Sequence, residues 1–359
     1  MMQISLCMIV KDEEEVLRRC LSSIAYLCDE IIIVDTGSTD GTIDIIKQFT
    51  NNIYHFKWVD DFSAARNFSF EKATKDFILW LDADDVLSKE NQVKLATLKK
   101  ELKLDIDAVS MLYHIDFDEY GNPSFSFRRN RLINRNRQFQ WIGPVHEYLD
   151  VHGNISYADI AVEHRKDKKT IDNTVSDRNL QIYQNRLRKG EELSPRDLFY
   201  YANELKDHNN YKDAITNYKT FLQTNKGWIE DIIRAYIYMA DCYRLLSEPE
   251  KEMDALVKTF AHDVPRPETC CRIGDLYLSK GEVNKAIFWY ELAIEVGIAN
   301  DIGFNIIGFH TWYPHMQLCI CYWNIGSVDK AKRHNDSAKQ YLPNDSTIAY
   351  NERFFENME

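Results

Sequence analysis

Residues 76–87, with the sequence DFILWLDADDVL, constrain the fold of this chain more than any other segment. An apolar run at 77–81 is followed at once by three acids, Asp82, Asp84 and Asp85. Apolar runs of this length, bounded by charge, are typical of buried strands in α/β sheets. Clustered carboxylates stay ionised only beside a cation, and oxygen ligands favour Mg²⁺ or Mn²⁺ over zinc. Because open α/β sheets bind ligands at the carboxyl ends of their strands, the motif predicts a D-x-D metal site facing a cleft.

A second interpretation of the same acids is purely structural. They also suit a polar strand-to-helix loop in which Ser88 or Asp85 is the N-cap residue of the following helix. Taken by itself, the segment leaves both interpretations open.

The first part of the chain predicts an α/β domain. Apolar runs indicate parallel strands at 3–10, 30–34, 53–56 and 77–81, separated by helical patterns. The acids at 12–15 are expected in the first turn of the first helix, where the helix dipole favours negative charge. This alternation is typical of a doubly wound half-sheet. Further strands are predicted at 108–116 and, antiparallel, at 124–133, and another ends at His164, before a basic linker at 166–170.

From residue 177 the pattern is wholly helical and contains a repeat. A turn, a polar or charged pair and a small residue of a second helix recur at 210–215, 281–287 and 326–331, with a weaker copy at 250–256. The 45 residues from Gly281 to Gly326 exceed the tetratricopeptide period of about 34, so we expect an insertion within 297–313. Such a short solenoid presents a concave surface to a partner.

Composition excludes some classes of protein. The 359 residues, 45% hydrophobic and 28% charged, suit two soluble domains, and a net charge of −12 argues against a nucleic-acid binder. The eight cysteines form no C-x-x-C pair, which indicates reduced thiols in a cytoplasmic protein. We expect no signal peptide, and no apolar run approaches the ~18 residues of a membrane helix.

Three motifs in this order and spacing resemble family 2 glycosyltransferases of the GT-A fold. They are IIIVDTGSTDGT at 31–42, ARN at 65–67 and LDADD at 81–85. The resemblance covers residues 1–170 and implies an α/β GT-A domain there. It further implies a linker helix at 171–193 and an all-α domain of tetratricopeptide-like repeats at 194–359.

Later residues narrow the resemblance. His146-Glu147, His164 and the tripeptide RNL at 178–180 lead into the repeats. This layout is similar to bacterial two-domain enzymes, including the S-glycosyltransferases that modify sublancin-type bacteriocin peptides.

The resemblance implies roles for residues near the nucleotide. Asp35 would accept a hydrogen bond from the uracil imide, which favours UDP, although it could instead begin an Asx-turn with Gly37. Val10 and Lys11 would offer backbone groups to the base, and Glu13 would lie near the ribose. The family usually has Asn in place of Asp12, which leaves the shape of that turn open.

At the diphosphate, the resemblance implies a metal ion, Mg²⁺ or Mn²⁺. Asp84 would contact the metal directly, and Asp82 would contact the metal or the ribose. His164 would be a further metal or diphosphate ligand. Arg66 could pair with Asp82 or with the diphosphate.

At the acceptor, an inverting transfer needs a general base. Glu147, after a Gly-Pro turn, is the implied base, and His146 would orient it or touch phosphate. Trp141 could stack on a sugar, although a tryptophan this near a strand is more often in the core.

These expectations describe a metal-dependent, inverting glycosyltransferase that moves a sugar from a UDP-sugar to Ser, Thr or Cys of a peptide or protein held by the repeats. Transfer to a glycan or lipid-linked acceptor and a tetratricopeptide scaffold with a vestigial transferase domain remain alternatives. The repeats could also only brace the catalytic domain or form a homodimer interface. A nucleotidyltransferase is disfavoured, because the loop after the first strand carries acids at 12–15 instead of a glycine-rich basic sequence.

Overall fold

The computed structural model describes residues 2–118, 121–165, 177–297 and 305–358. The chain forms two compact units, Met1–Ile182 and Tyr183–Glu359. The predicted basic linker at 166–170 lies outside the described residues, and so do residues 298–304 of the predicted insertion. No helix in the described ranges is long and apolar enough to cross a membrane.

The N-terminal unit is an α/β domain. Its strands are β1 (Ile4–Val10), β2 (Glu30–Asp35), β3 (Ile53–His55), β4 (Phe77–Trp80), β5 (Asp85–Val86), β6 (Ala108–Phe117), β7 (Pro123–Asn134), β8 (Trp141–Ile142), β9 (Tyr148–Leu149) and β10 (Ile155–His164). Its helices are α1 (Leu17–Ile24), α2 (Thr42–Ile46), α3 (Phe62–Glu71) and α4 (Lys89–Glu101), and α5 (Asp177–Arg188) follows.

The strand order in the main sheet is β3-β2-β1-β4-β7-β6-β10-β5. Strands β1 to β4 are parallel, which confirms the predicted half-sheet. Strand β7 is antiparallel to both β4 and β6, also as predicted. Strand β4 is buried on both faces, because Phe77 and Leu79 pack into one hydrophobic cluster while Ile78 and Trp80 pack into another. The acids that follow β4 therefore lie at the end of a central strand that is buried on both faces.

The prediction for the acids after β1 was wrong. Helix α1 begins at Leu17, and its first turn contains no acid. Asp12 instead accepts a hydrogen bond from the Thr39 backbone N–H, and Glu14 accepts one from Gly41. Asp12 has a φ of 53°, a left-handed conformation that Asn and Asp tolerate better than most residues. These acids therefore join the loop after β1 to the loop after β2. The backbone N–H groups of the second loop take the place of those that the first turn of a helix would have offered.

The C-terminal unit is a stack of helices that pack in consecutive pairs. Its elements are α6 (Pro195–Asp207), α7 (Tyr211–Gln223), α8 (Ile229–Leu245), α9 (Pro249–Lys258), α10 (Pro267–Ser279), α11 (Val283–Val296), β11 (Asn305–Ile306), α12 (Trp312–Asn324), α13 (Val328–Tyr341) and α14 (Ser346–Glu356).

One turn geometry recurs between the helices of each pair. A residue with positive φ stands two positions before the second helix in four hairpins: Asn209, Ser247, Gly281 and Gly326. Glycine and asparagine adopt this conformation easily, whereas serine, in the weakest copy of the repeat, does so at some cost. The small residues of the repeat, Ala214, Ala286 and Ala331, are fully buried, as the repeat pattern predicted.

Candidate active site

A carboxylate and imidazole cluster lies where the central strands end. One ligand atom each from Asp84, Asp85 and His164 lies within 4.8 Å of the others. The sheet itself makes this cluster, because antiparallel pairing of β5 with β10 sets His164 opposite Asp85. His164 Nδ1 is 3.1 Å from Asp84 Oδ1, 3.9 Å from Asp85 Oδ1 and 3.2 Å from the Tyr113 hydroxyl.

The cluster fits a divalent cation. Burial by itself would lower the pKa of His164, but the adjacent carboxylates of Asp84 and Asp85 outweigh it and raise the pKa to about 9. The imidazolium thus supplies the positive charge that these carboxylates require. Asp85 Oδ1 is buried without a hydrogen-bond partner among the described residues, so this oxygen is free to be a ligand of a metal ion. Oxygen and imidazole donors together suit Mn²⁺ or Mg²⁺.

Asp85 also belongs to a buried ion pair that sequence reasoning missed. Its Oδ2 is 3.0 Å from Arg131 Nη1, and both side chains are 0% exposed. The Arg131 guanidinium lies 3.9 Å from the ring centroid of Trp80 and 4.4 Å from that of Tyr113. Three arginines in one strand, at 128, 129 and 131, were the available signal. Because Arg131 holds Asp85 in place, Asp84 is the more accessible carboxylate of the cluster.

Asp82 lies apart from this group and pairs with Arg66. The distance from Arg66 Nη2 to Asp82 Oδ1 is 2.7 Å. Asp82 was one of the two partners that the sequence analysis offered for Arg66. Burial would raise the pKa of Asp82, but Arg66 and then Arg131 and Arg129 hold it well below its usual range. Asp82 therefore remains a carboxylate, although its charge is already compensated without a metal.

The motif ARN at 65–67 connects three parts of the domain. Arg66 Nε donates to Glu147 Oε1 at 2.6 Å, in addition to its contact with Asp82. Asn67 donates to the Trp141 carbonyl at 2.9 Å and accepts from the Trp141 N–H at 2.8 Å. Helix α3 thereby fixes the segment that carries the predicted base.

The segment around Glu147 has an unusual backbone. Gly143 has a φ of 98° and His146 a φ of 52°, while the Pro144 carbonyl accepts from the Phe62 N–H at 2.8 Å. A left-handed histidine turns the chain so that Glu147 faces the Arg66 guanidinium. Glu147 Oε1 is thus engaged by Arg66, and none of the sequence motifs predicted this geometry.

Asp35 begins an Asx-turn, which was the alternative role considered for it. Its carboxylate accepts hydrogen bonds from the backbone N–H groups of Gly37 and Ser38, at 3.2 and 3.0 Å. Burial would raise its pKa, but these hydrogen bonds lower it below the usual range. The Val10 carbonyl is engaged by Thr36, and Lys11 is exposed.

Glu13 lies close to the metal candidates. Burial, followed by the charges of Asp84 and Asp82, raises the pKa of Glu13 to about 7. The Glu13 carboxylate is therefore repelled by the charges of Asp84 and Asp82. A bound cation would relieve this repulsion.

Trp141 is a core residue. It is 5% exposed, and its ring meets Trp80 edge-on with centroids 4.7 Å apart. The Arg66 guanidinium carbon lies 4.8 Å from the same ring. The structure thus places this tryptophan under the Arg66 side chain, and its faces are not open to a sugar.

Arg129 is a second arginine that sequence reasoning missed. It lies on β7 with its guanidinium carbon 5.1 Å from the Tyr113 ring centroid and 5.6 Å from that of Trp80. Burial, and then the charge of Arg131, lowers its pKa, and the charge of Asp82 opposes this. No hydrogen bond joins it to another described residue, so its donors are available to an anionic ligand.

The sheet order and the position of this cluster place the N-terminal unit among α/β proteins that bind ligands at the carboxyl ends of parallel strands. Comparison with known proteins then shows what each unit is similar to. Residues 5–152 match the model of glycosyl transferase family 2, and residues 267–296 match a tetratricopeptide repeat. The first unit is thus similar to family 2 glycosyltransferases and the second to tetratricopeptide repeats, as the motifs indicated.

Related proteins show both parts. The chain is 34% identical over 229 residues to the SPbeta prophage-derived glycosyltransferase SunS of Bacillus subtilis, which covers 59% of this chain and 53% of that protein. It is 40% identical over 151 residues to a TPR repeat-containing protein of Synechococcus elongatus, covering 42% of this chain and 36% of that protein. The chain thus spans about half or less of the length of these relatives.

Among solved structures, MamA is 21% identical and covers 45% of this chain and 85% of its own, with a TM-score of 0.37. The thermophilic TPR protein TTC0263 of Thermus thermophilus is 16% identical and covers 50% of this chain and 89% of its own, with a TM-score of 0.34.

Proposed function

We propose that the protein is a metal-dependent, inverting glycosyltransferase that moves a sugar from a UDP-sugar to Ser, Thr or Cys of a peptide or protein. The observation that carries this proposal is the Asp84–Asp85–His164 cluster, within a domain that matches glycosyl transferase family 2. The eight cysteines are free, which supports the cytoplasm as the compartment.

At the donor side, Asp84 and His164 would hold a divalent cation. Asp85, next to them, is paired with Arg131. The cation would supply positive charge to the leaving diphosphate. Arg129 has unengaged donors near the same edge and would bind a phosphate oxygen. Asp35 would accept from the uracil imide with the lone pairs that Gly37 and Ser38 leave.

At the acceptor side, Glu147 would remove the proton. Arg66 occupies Oε1, so the second oxygen is the one that can reach an acceptor hydroxyl or thiol. The same guanidinium holds Asp82, and the relative position of donor and acceptor groups would depend on this one side chain. Arg66 is therefore proposed as a positioning residue.

The test is a panel of UDP-sugars with Mn²⁺, with Mg²⁺ and with EDTA, read by release of UDP. Slow hydrolysis requires no acceptor, so the panel works before the acceptor is known. We expect one UDP-sugar to be hydrolysed and EDTA to stop the reaction. UDP release from none of the donors, together with UDP binding that is the same with and without metal, would contradict the proposal.

A further inference from the structure

The C-terminal unit contains a cavity of about 640 Å³. It lies between the end of α8, the first turn of α9, α10 and the segment before α12, within the tetratricopeptide-like helices. This volume falls within the range of about 300–1,000 Å³ that is usual for ligand pockets. Its walls carry charged groups and two aromatic rings, contributed by Arg244, Glu252, Arg272, Asp275, Phe309 and Tyr313.

The positive charges in the wall already have carboxylate partners. Arg272 Nη1 lies 2.7 Å from Asp241, and its Nη2 lies 3.1 Å from Glu268. Arg244 Nη2 lies 3.5 Å from Asp241. Neither arginine requires an anionic ligand to be compensated.

Three acids line the cavity, Glu248, Glu252 and Asp275, and Glu248 is paired with Lys251 at 2.8 Å. Asp275 accepts hydrogen bonds from the hydroxyls of Tyr290 and Tyr313, at 2.6 and 2.9 Å. Glu252 is 5% exposed, and its carboxylate makes no hydrogen bond or ion pair with any residue in the described ranges. Burial raises its pKa against the opposing charges of Arg244 and Arg272. A buried carboxylate without a partner is costly, so Glu252 is the group that a ligand would satisfy.

We propose that this cavity binds a basic side chain, lysine or arginine, of the polypeptide acceptor. Its ammonium or guanidinium group pairs with Glu252, and Phe309 and Tyr313 cover its aliphatic part and offer their π faces. The identification of the ligand as an acceptor rests on the proposed function. The charge and the place of the ligand rest on Glu252 alone.

The experiment titrates the ¹⁵N-labelled full chain with Nα-acetyl-lysine amide, Nα-acetyl-arginine amide and the neutral Nα-acetyl-norleucine amide. We expect saturable shifts of amides in α9 and α10 with the two basic probes and none with norleucine. This comparison needs no variant, so it does not depend on a substituted chain folding. Equal binding of lysine and norleucine probes, or no binding of either basic probe, would overturn the proposal.

A matched pair of variants on α9 then locates the contact. Glu252→Gln should weaken the lysine probe by roughly 10- to 100-fold, the effect of losing one charge-assisted hydrogen bond. Glu250→Gln, the same change at an exposed position two residues away, should leave affinity unchanged. Unchanged affinity in Glu252→Gln would overturn the assignment of this carboxylate.

Binding of free n-butylamine tests whether the cavity prefers a residue of a polypeptide to a small amine. It should bind at least tenfold more weakly than the lysine probe, and equal affinity would overturn the polypeptide part of the proposal. Metal-dependent UDP binding is measured on the same samples. If UDP does not bind but the lysine probe does, the proposed function is contradicted and the basic ligand of the cavity is not. If UDP binds but the lysine probe does not, only the proposal for the cavity is overturned.

Discussion

The guanidinium Nε of Arg66 lies 2.6 Å from Glu147 Oε1, although 81 residues separate the two in the chain. The same guanidinium lies 2.7 Å from Asp82. All three side chains are largely withdrawn from water, with 28% exposure at most. One cation therefore holds the acid at the end of β4 and the acid after β8 at a defined separation.

Arg66→Gln should lower the free energy of unfolding by about 3 kcal/mol, because it leaves two partly buried carboxylates without their partner. Urea denaturation of the full chain measures this. Arg18→Gln, at an exposed arginine, is the control and should change stability little. Because Gln at 147 removes one of the stranded charges, Arg66→Gln with Glu147→Gln should lose less than the two single variants added together. Strict additivity would contradict the ion pair.

Glu147→Gln should reduce transfer to a hydroxyl acceptor by roughly 10²–10⁴-fold, since it keeps the shape and removes the base. UDP affinity should change little. A cysteine acceptor, partly ionised near pH 8, should suffer less, and higher pH should restore part of its rate. Glu71→Gln, at an exposed acid of α3, is the matched control. Normal transfer to a hydroxyl acceptor would exclude Glu147 as the base and direct attention to His146.

Asp84→Asn should weaken UDP binding in Mn²⁺ or Mg²⁺ by roughly tenfold or more, as expected when a metal ligand is lost. Calorimetry with and without metal measures the effect, and wild-type UDP binding should be weak in EDTA. Asp105→Asn, at an exposed acid, should bind UDP normally. If Asp84→Asn retains full metal-dependent affinity, the metal lies elsewhere.

Asp231 should make the C-terminal unit less stable as pH rises from about 4 to 6. It is 2% exposed, and its Oδ1 has no hydrogen-bond partner among the residues described. Burial raises its pKa to about 6, against the opposing charge of Arg196. Because the folded form binds the proton more tightly than the unfolded form, folding stability falls as this carboxyl ionises.

Asp231→Asn removes that cost and should raise stability at pH 7.5 by up to about 3 kcal/mol, the equivalent of the change in pKa. The gain should vanish near pH 3.5, where Asp231 is neutral in both states. Thermal unfolding at the two pH values measures it. Asp336→Asn, at an exposed acid of the same unit, should show no such dependence. A gain that is equal at both pH values would refute the titration of Asp231 as its cause.

The acids after β4 show how much of the candidate site local sequence can predict. The apolar run before Asp82 predicted a buried strand that ends in acids, and this needs only the local pattern. Which acid meets which partner depends on strands far apart in the chain. Pairing of β5 with β10 brings Asp84 and Asp85 close to His164. Packing of α3 places Arg66 against Asp82. The D-x-D pattern treats Asp82 and Asp84 alike, but the fold separates them.

The sequence by itself determined the order of strands and helices, the similarity of the first domain to family 2 glycosyltransferases and the repeats of the second. Each of these is written in apolar periodicity and in short motifs, which need no knowledge of distant partners. Only the tertiary structure decided that Arg131 lies buried on Asp85, that Trp141 belongs to the core and that the Glu252 carboxylate, in a cavity, has no partner among the described residues. Burial and ion pairing between remote residues depend on how whole elements pack, and no local pattern records that packing.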